Sequence, residues 1–286
     1  MKNKSLFLVA LSVLLVSCSD DDNNTAAPQL KLNLTGLENL GANYKYEGWV
    51  VVNGAPVTTG TFTVNDAGVL SQTTFDVAAA TLANATTFVL SIEPANDTDP
   101  APSNTKFLVG DFSGNSATVN TGIVGNFSSA TGKYIIASPT DGGLNPYAGV
   151  WFLNANPFGT GLNLPTIDAG WKYEGWVVTS DGSVVLSTGK FSNPALADDS
   201  AQYSGTMAGP PFPGEDFITN APAGITFPGN LRGTTLVITV EPNPDNSPMP
   251  FTLKPLSHQV SQTVIPGDTN DMIRSLTSFP SGTVTR

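Results

Sequence analysis

Cysteine and histidine are nearly missing from this chain, with one of each in 286 residues. A zinc site built from Cys and His ligands is excluded by that count. A Ser-His-Asp relay would have to pass through His258, and no Gly-x-Ser-x-Gly elbow or Asp partner pattern accompanies it, so no catalytic residue is assigned. Charge is scarce too: 12% of residues are charged, and basic residues number 12 against 23 acidic ones, for a net charge of -11. Helix surfaces are normally filled with Glu, Lys and Arg, so long helices are not expected. Twelve scattered basic residues make no basic stripe, and the net charge repels phosphate backbones, which excludes nucleic acid as a partner. What the chain has in quantity is Gly (28), Pro (22), Thr, Asn and Val, the composition of a turn-rich all-β protein.

The place of the single cysteine is informative. Met1 to Ser17 carries Lys2 and Lys4, an apolar run from Leu6 to Val16 and then small residues, the layout of a cleaved secretory signal too short for a comfortable membrane span. Leu15-Val16-Ser17-Cys18 closely resembles the lipobox of bacterial lipoproteins, which implies acylation of Cys18 and a membrane partner reached through the lipid. Residues 18–27, with Asp20, Asp21 and Asp22, read as an acidic disordered tether. An acidic run just after the lipidated cysteine also resembles the signal that sends lipoproteins of the Bacteroidetes to the outer face of the outer membrane. The expected location is the outer or plasma membrane, lipid-anchored and extracytoplasmic, with a periplasmic or a surface orientation left open.

The rest of the chain is a tandem repeat. Tyr44-Lys45-Tyr46-Glu47-Gly48-Trp49-Val50-Val51 returns as Trp171-Lys172-Tyr173-Glu174-Gly175-Trp176-Val177-Val178 at an offset of 127. The pleat sends Tyr44, Tyr46, Gly48, Val50 and Val52 to one face and Lys45, Glu47, Trp49 and Val51 to the other, where Lys45 and Glu47 can pair. Asn53-Gly54 predicts a tight hairpin and a return strand over 56–64, with Ser180-Asp181-Gly182 as the second copy's turn. Thr86 to Pro94 matches Thr234 to Pro242 at an offset of 148, and both predicted strands end at a Glu-Pro pair. Further strands are expected at Leu30 to Leu34, Gly132 to Pro139, Tyr147 to Leu153, Phe251 to Leu253 and Thr283 to Thr285, and a helical turn near Asn270 to Leu276. Two tandem β-sandwich-like domains follow from this, over 28–128 and 132–286.

The growth in offset places an extra segment in the second copy, residues 209–230, rich in Pro and Gly and carrying Phe212, Phe217 and Phe227. A long loop of this profile is either a plug for its own domain or a binding surface. Trp151 and Trp171 stand between core packing and stacking on a sugar ring. Glu47, Glu93, Glu174 and Glu241 recur once per copy beside Trp or Pro and read as structural, pairing with Lys45 or Lys172 or accepting turn amides, in preference to a glycosidase carboxylate pair. Asp97 with Asp99, and Asp198 with Asp199, lack the spacing of a calcium loop, so no metal and no cofactor is assigned.

In order, Leu37-Glu38-Asn39-Leu40 or Leu164-Pro165-Thr166-Ile167, then Tyr46 with Trp49 or Tyr173 with Trp176, then Glu93-Pro94 or Glu241-Pro242, each copy resembles the extracytoplasmic C-terminal domain of the anti-sigma-K factor family. The resemblance implies a β-sandwich-like fold and a role in sensing or binding outside the membrane. Members that act on sigma factors carry a cytoplasmic segment and a transmembrane helix ahead of this domain, whereas here a lipoprotein signal stands in their place. The expected function is therefore a non-enzymatic, lipid-anchored envelope protein that binds or senses a protein or glycan partner. The rival readings are an accessory in anti-sigma signalling and a carbohydrate-binding or carbohydrate-active surface lipoprotein.

Overall fold

The computed structural model describes residues 28–245 and 247–286. The signal segment, Cys18 and the acidic tether lie outside the described residues. Strands in the first copy are β1 (Gln29–Thr35), β2 (Tyr44–Val52), β3 (Ala55–Phe62), β4 (Thr74–Asp76), β5 (Ala85–Pro94), β6 (Lys106–Ser113) and β7 (Ser116–Asn120), with one six-residue helix, α1 (Ala79–Asn84). There follow β8 (Thr131–Ile136), β9 (Gly149–Trp151), β10 (Leu153–Ala155), β11 (Phe158–Thr160) and β12 (Leu162–Asn163). The second copy continues through β13 (Trp171–Val178), β14 (Val185–Phe191), β15 (Gly214–Asp216) and β16 (Thr235–Pro242). The chain ends with β17 (Leu256–Gln259), β18 (Asn270–Asp271), β19 (Ile273–Arg274) and β20 (Ser281–Thr285). The fold is all-β, as the composition implied, and no helix among the described residues is long and apolar enough to cross a membrane.

The repeated strand is central in both copies. β2 lies between β3 and β5, and β13 between β14 and β16, all antiparallel. Asn53 and Gly54 both have positive φ (52° and 81°), the geometry a two-residue hairpin needs to follow the strand twist. Each hairpin carries one extra residue on the return strand: Gly48 pairs with Gly60 and Trp49 with Thr58, while Gly175 pairs with Gly189 and Trp176 with Ser187. The bulge residues, Thr59 and Thr188, turn inward over the glycines, which is why a side chain there is not tolerated. A Cβ at Gly175 would lie 2.3 Å from Thr188 Oγ1 and 2.7 Å from the Phe152 ring. Because the bulge is on the partner, β2 keeps its own alternation, with Tyr46 and Val50 fully buried on one face and Trp49 on the other.

The first sheet runs β3-β2-β5-β6-β7-β20-β1-β4 and curls until its edges meet, since Phe75 on β4 packs against Phe62 on β3 at 6.2 Å between ring centroids. Its boundary does not follow the repeat. β20, which ends the span 132–286, sits between β7 and β1 in the sheet of the first copy. One apolar core runs through both copies, and Phe107, Trp171 and Phe251 pack together across the junction with centroids 5.4–6.0 Å apart.

Three local expectations are corrected. Residues near Asn270 to Leu276 form β18 and β19 instead of a helical turn, because they pair with β8 and β17. Phe251 to Leu253 is irregular: the Phe251 amide serves Glu241, and only the Leu253 carbonyl accepts a strand bond, from the Val240 amide; the regular strand begins at Leu256. Lys45 does not pair with Glu47 but donates to the Ala95 carbonyl at 3.2 Å, and Glu47 accepts from the Thr58 hydroxyl at 2.5 Å.

Candidate functional site

Repeated polar side chains first have to be separated from the rest. In the first copy Trp49 Nε1 donates to Ser91 Oγ at 2.8 Å, Ser91 donates to Glu93, and Glu93 accepts the Ser103 amide at 2.9 Å. In the second copy Trp176 donates to Thr239 at 2.8 Å, Thr239 to Glu241, and Glu241 accepts the Phe251 amide at 2.9 Å. The tyrosines repeat as faithfully, each hydroxyl donating to the carbonyl eight residues back, Tyr46 to Glu38 and Tyr173 to Pro165. These relays satisfy buried polar groups and clamp the loop after the Glu-Pro pair, a fold role. Glu174 departs from expectation: Lys172 goes to Asp199, and the lysine facing Glu174 is Lys190.

The segment 209–230 is different, having no counterpart in the first copy. It returns to the body through β15, which pairs with β9 so that Gly214 faces Trp151 and Asp216 faces Gly149. Asp216 is fully buried and accepts from the Thr140 amide at 2.7 Å and from Trp151 Nε1 at 2.8 Å. Glu215, also fully buried, accepts from the Ser204 hydroxyl and the Tyr203 amide. Asp198 accepts the Gly214 amide at 2.8 Å. Burial raises the pKa of all three above the ordinary carboxylate range, Asp198 to about 7, where Glu215 adds to the effect.

Beside this acidic hub opens a cleft of about 300 Å3, lined among others by Asp198, Ser200, Ser204, Met207, Phe212 and Trp151. Its rim includes the exposed Met207, and the exposed Phe158 ring packs edge-on to Phe212 at 5.4 Å. Asp198, near neutrality, can donate or accept a hydrogen bond here. A smaller apolar pocket of about 180 Å3 lies between the far limb of the segment and the β13–β14 hairpin, walled by Phe217, Ile225, Phe227 and Leu186.

The residues singled out from sequence are placed as follows. Phe212 is 9% exposed and packs with Trp151 and Leu153. Phe217 is fully buried and Phe227 half-buried, and both pack on Tyr203. The two tryptophans are corrected as sugar-stacking platforms, because they are 5% and 2% exposed and each indole N–H is used inside, Trp151 on Asp216 and Trp171 on the Lys106 carbonyl at 3.2 Å. His258 meets Tyr134, Nδ1 to hydroxyl, at 2.8 Å. Asp198 and Asp199 part company, the first toward the cleft and the second to Lys172. Sequence reading missed Glu215, Asp216 and Tyr203. The available signal was a Glu-Asp pair set between Gly214 and Phe217 inside an otherwise apolar segment, which predicts buried acids. No family model, curated protein or solved structure matches the chain, so the resemblance to the anti-sigma-K domain rests on the order of its motifs.

Proposed function

We propose that this chain is a lipid-anchored, non-enzymatic protein of the cell envelope that binds or senses a ligand, taken up in the cleft beside residues 209–230. One observation carries the reading: only the second copy has this segment, and it sets Asp198, Ser200 and Ser204 beside Phe212 around a cleft of about 300 Å3. A carboxyl group and the Ser200 hydroxyl next to an aromatic edge, with the Ser204 hydroxyl held by Glu215 behind them, suit a small ligand rich in hydroxyls, such as a saccharide unit, since such sites combine apolar walls with a few placed polar groups. The anchor rests on Cys18 and the lipobox-like run before it.

Calorimetric titration of the soluble form beginning at Asn23 with a panel of mono- and oligosaccharides tests the ligand class. Saturable binding that weakens about tenfold in Ser200→Ala or Asp198→Asn, the loss of one good hydrogen bond, is the expected result. A panel without any saturable binder removes the saccharide reading. Acyl labelling of the full chain should disappear in Cys18→Ala, and a label that persists would overturn the anchor.

A further inference from the structure

Glu174, Glu241 and Asp245 bring one carboxylate oxygen each to within 4.8 Å of the others, and none of the three lines the cleft described above. The register explains the meeting. Glu174 pairs with Thr239 and Lys172 with Glu241, so the two glutamates are diagonal neighbours on one face of the β13–β16 ladder. Asp245 comes back over them from the proline-broken segment after β16, its Oδ1 held by the Ser247 amide at 2.9 Å.

Each glutamate uses one oxygen for the fold and leaves the other over. Oε1 of Glu241 takes Thr239 and the Phe251 amide, and Oε1 of Glu174 takes the Ser187 hydroxyl. Oε2 of both has no hydrogen-bond partner, although the residues are only 1% and 3% exposed. A solvated acidic patch would leave such oxygens to water, whereas buried orphan acceptors are costly and call for a specific partner. The one cation at hand is Lys190, whose Nζ sits 2.8 Å from Asp245 Oδ2 and 3.9 Å from Glu174 Oε2, beyond hydrogen-bond length. Three carboxyl groups thus share one positive charge, and an all-oxygen donor set with more acids than cations matches a hard divalent ion. By offset the first copy places Glu47, Glu93 and Asp97 at these positions and Thr61 at that of Lys190. Among the described residues only the second copy gathers its three carboxylates in this way.

We propose that Glu174, Glu241 and Asp245 form a binding site for a hard divalent cation of the calcium or magnesium class, with the Lys190 ammonium as its built-in competitor. Lys190 is 30% exposed at its side chain, so its arm can swing toward solvent as the ion enters, and solvent completes the coordination on that side.

The test uses the chelator-treated chain from Asn23, titrated with calcium and in parallel with magnesium, by calorimetry and by thermal unfolding. Saturable uptake of one ion per chain with a rise in Tm is expected for one of the two. Lys190→Met should bind about tenfold or more tightly, since a competing charge is gone, and Glu241→Gln, which keeps the Thr239 and Phe251 bonds, should lose binding while keeping its far-UV spectrum. Absence of uptake of either ion by both the unsubstituted chain and Lys190→Met overturns the site. So does uptake of equal strength in Glu241→Gln, which would place the ion elsewhere.

Discussion

Tyr44–Val52 and Trp171–Val178 are written almost alike and folded almost alike, but their glutamates end in different surroundings. Glu47 is half-buried and held by one threonine, while Glu174 is buried and faces Lys190. Glu241 and Glu174 are pushed up to about 8 and about 7 by burial, ahead of any neighbouring charge, and Asp198 to about 7. The two copies share what holds the strand crossing together: the Trp–hydroxyl–Glu relay, the tyrosine bond to the preceding turn and the glycine under the bulge. They differ where the second copy is longer, and there it concentrates acids out of water. The duplicated relays maintain geometry in both copies, while the cleft depends on the unmatched segment and, among the described residues, the carboxylate cluster closes only in the second copy, beside Lys190.

The largest perturbation of this comparison is removal of 281–286. Those residues come from the second half of the chain but join β7 to β1, contribute the fully buried Val284 and place Arg286 over the Phe112 ring at 4.5 Å. Their deletion should lower Tm by more than about 10 °C, on the scale of about 2–4 °C per kcal/mol for a chain of this size, with exchange protection lost first in the sheet of the first copy. Equal loss in both copies would show that the shared core, not the sheet, sets the cooperativity.

Next in size come the bulge glycines. Gly48→Ala meets Thr59 Oγ1 at 2.6 Å and the Phe88 ring at 3.2 Å, whereas Gly175→Ala meets tighter walls on both counts. The second substitution should cost about 2–3 kcal/mol and the first about 1 kcal/mol less, measured by denaturant unfolding. The reverse order would mean that the second copy relaxes more easily than its packing suggests.

pH should act on both copies, through one half-buried carboxyl group in each. Where burial raises a carboxyl pKa, the folded state holds the proton more tightly than the unfolded chain. The stabilisation is then full below the unfolded value near 4 and falls away as pH rises through the folded value. Asp198 and Glu38 both reach about 7, Glu38 through burial only partly offset by the Thr252 hydrogen bond and Lys254. Tm in divalent-free buffer should therefore fall by several degrees between pH 5 and pH 8. Asp198→Asn and Glu38→Gln should each flatten the slope, and an unchanged slope in both would refute the assignment. The smallest effect expected is that of Lys133→Ala. Its partner Asp271 is 79% exposed at the side chain, and the loss should stay within about 0.5 kcal/mol.

Much of the frame could be read before the fold was known. Alternation at Leu30, Leu32 and Leu34, the Asn53-Gly54 turn and the paired Glu-Pro endings are local signals, and local signals specify strands. The curl of the first sheet, the insertion of β20 and the joint at Phe107, Trp171 and Phe251 were not legible, because each depends on partners far apart in sequence. The cleft was half legible. Its segment stood out by length and composition, but Phe217 turned out to be buried packing, and Asp198, from a pair weighed only as a calcium loop and set aside, became the polar wall. The cation site was hidden for a similar reason: Glu174 and Glu241 looked structural because they repeat, and Asp245 and Lys190 complete the group from loops and a neighbouring strand that the motif does not include.

The placement of β20 also has a mechanical side. Lys31 lies opposite Thr285, so the described residues begin and end side by side. β1 is gripped on both edges, by β20 and by β4, and a pull on the chain ahead of Pro28 would have to shear two ladders at once instead of unzipping one. Were the chain held through Cys18, as proposed, the load would fall on the strand locked in last in chain order, and a reporter fused after Arg286 would sit beside the start of β1.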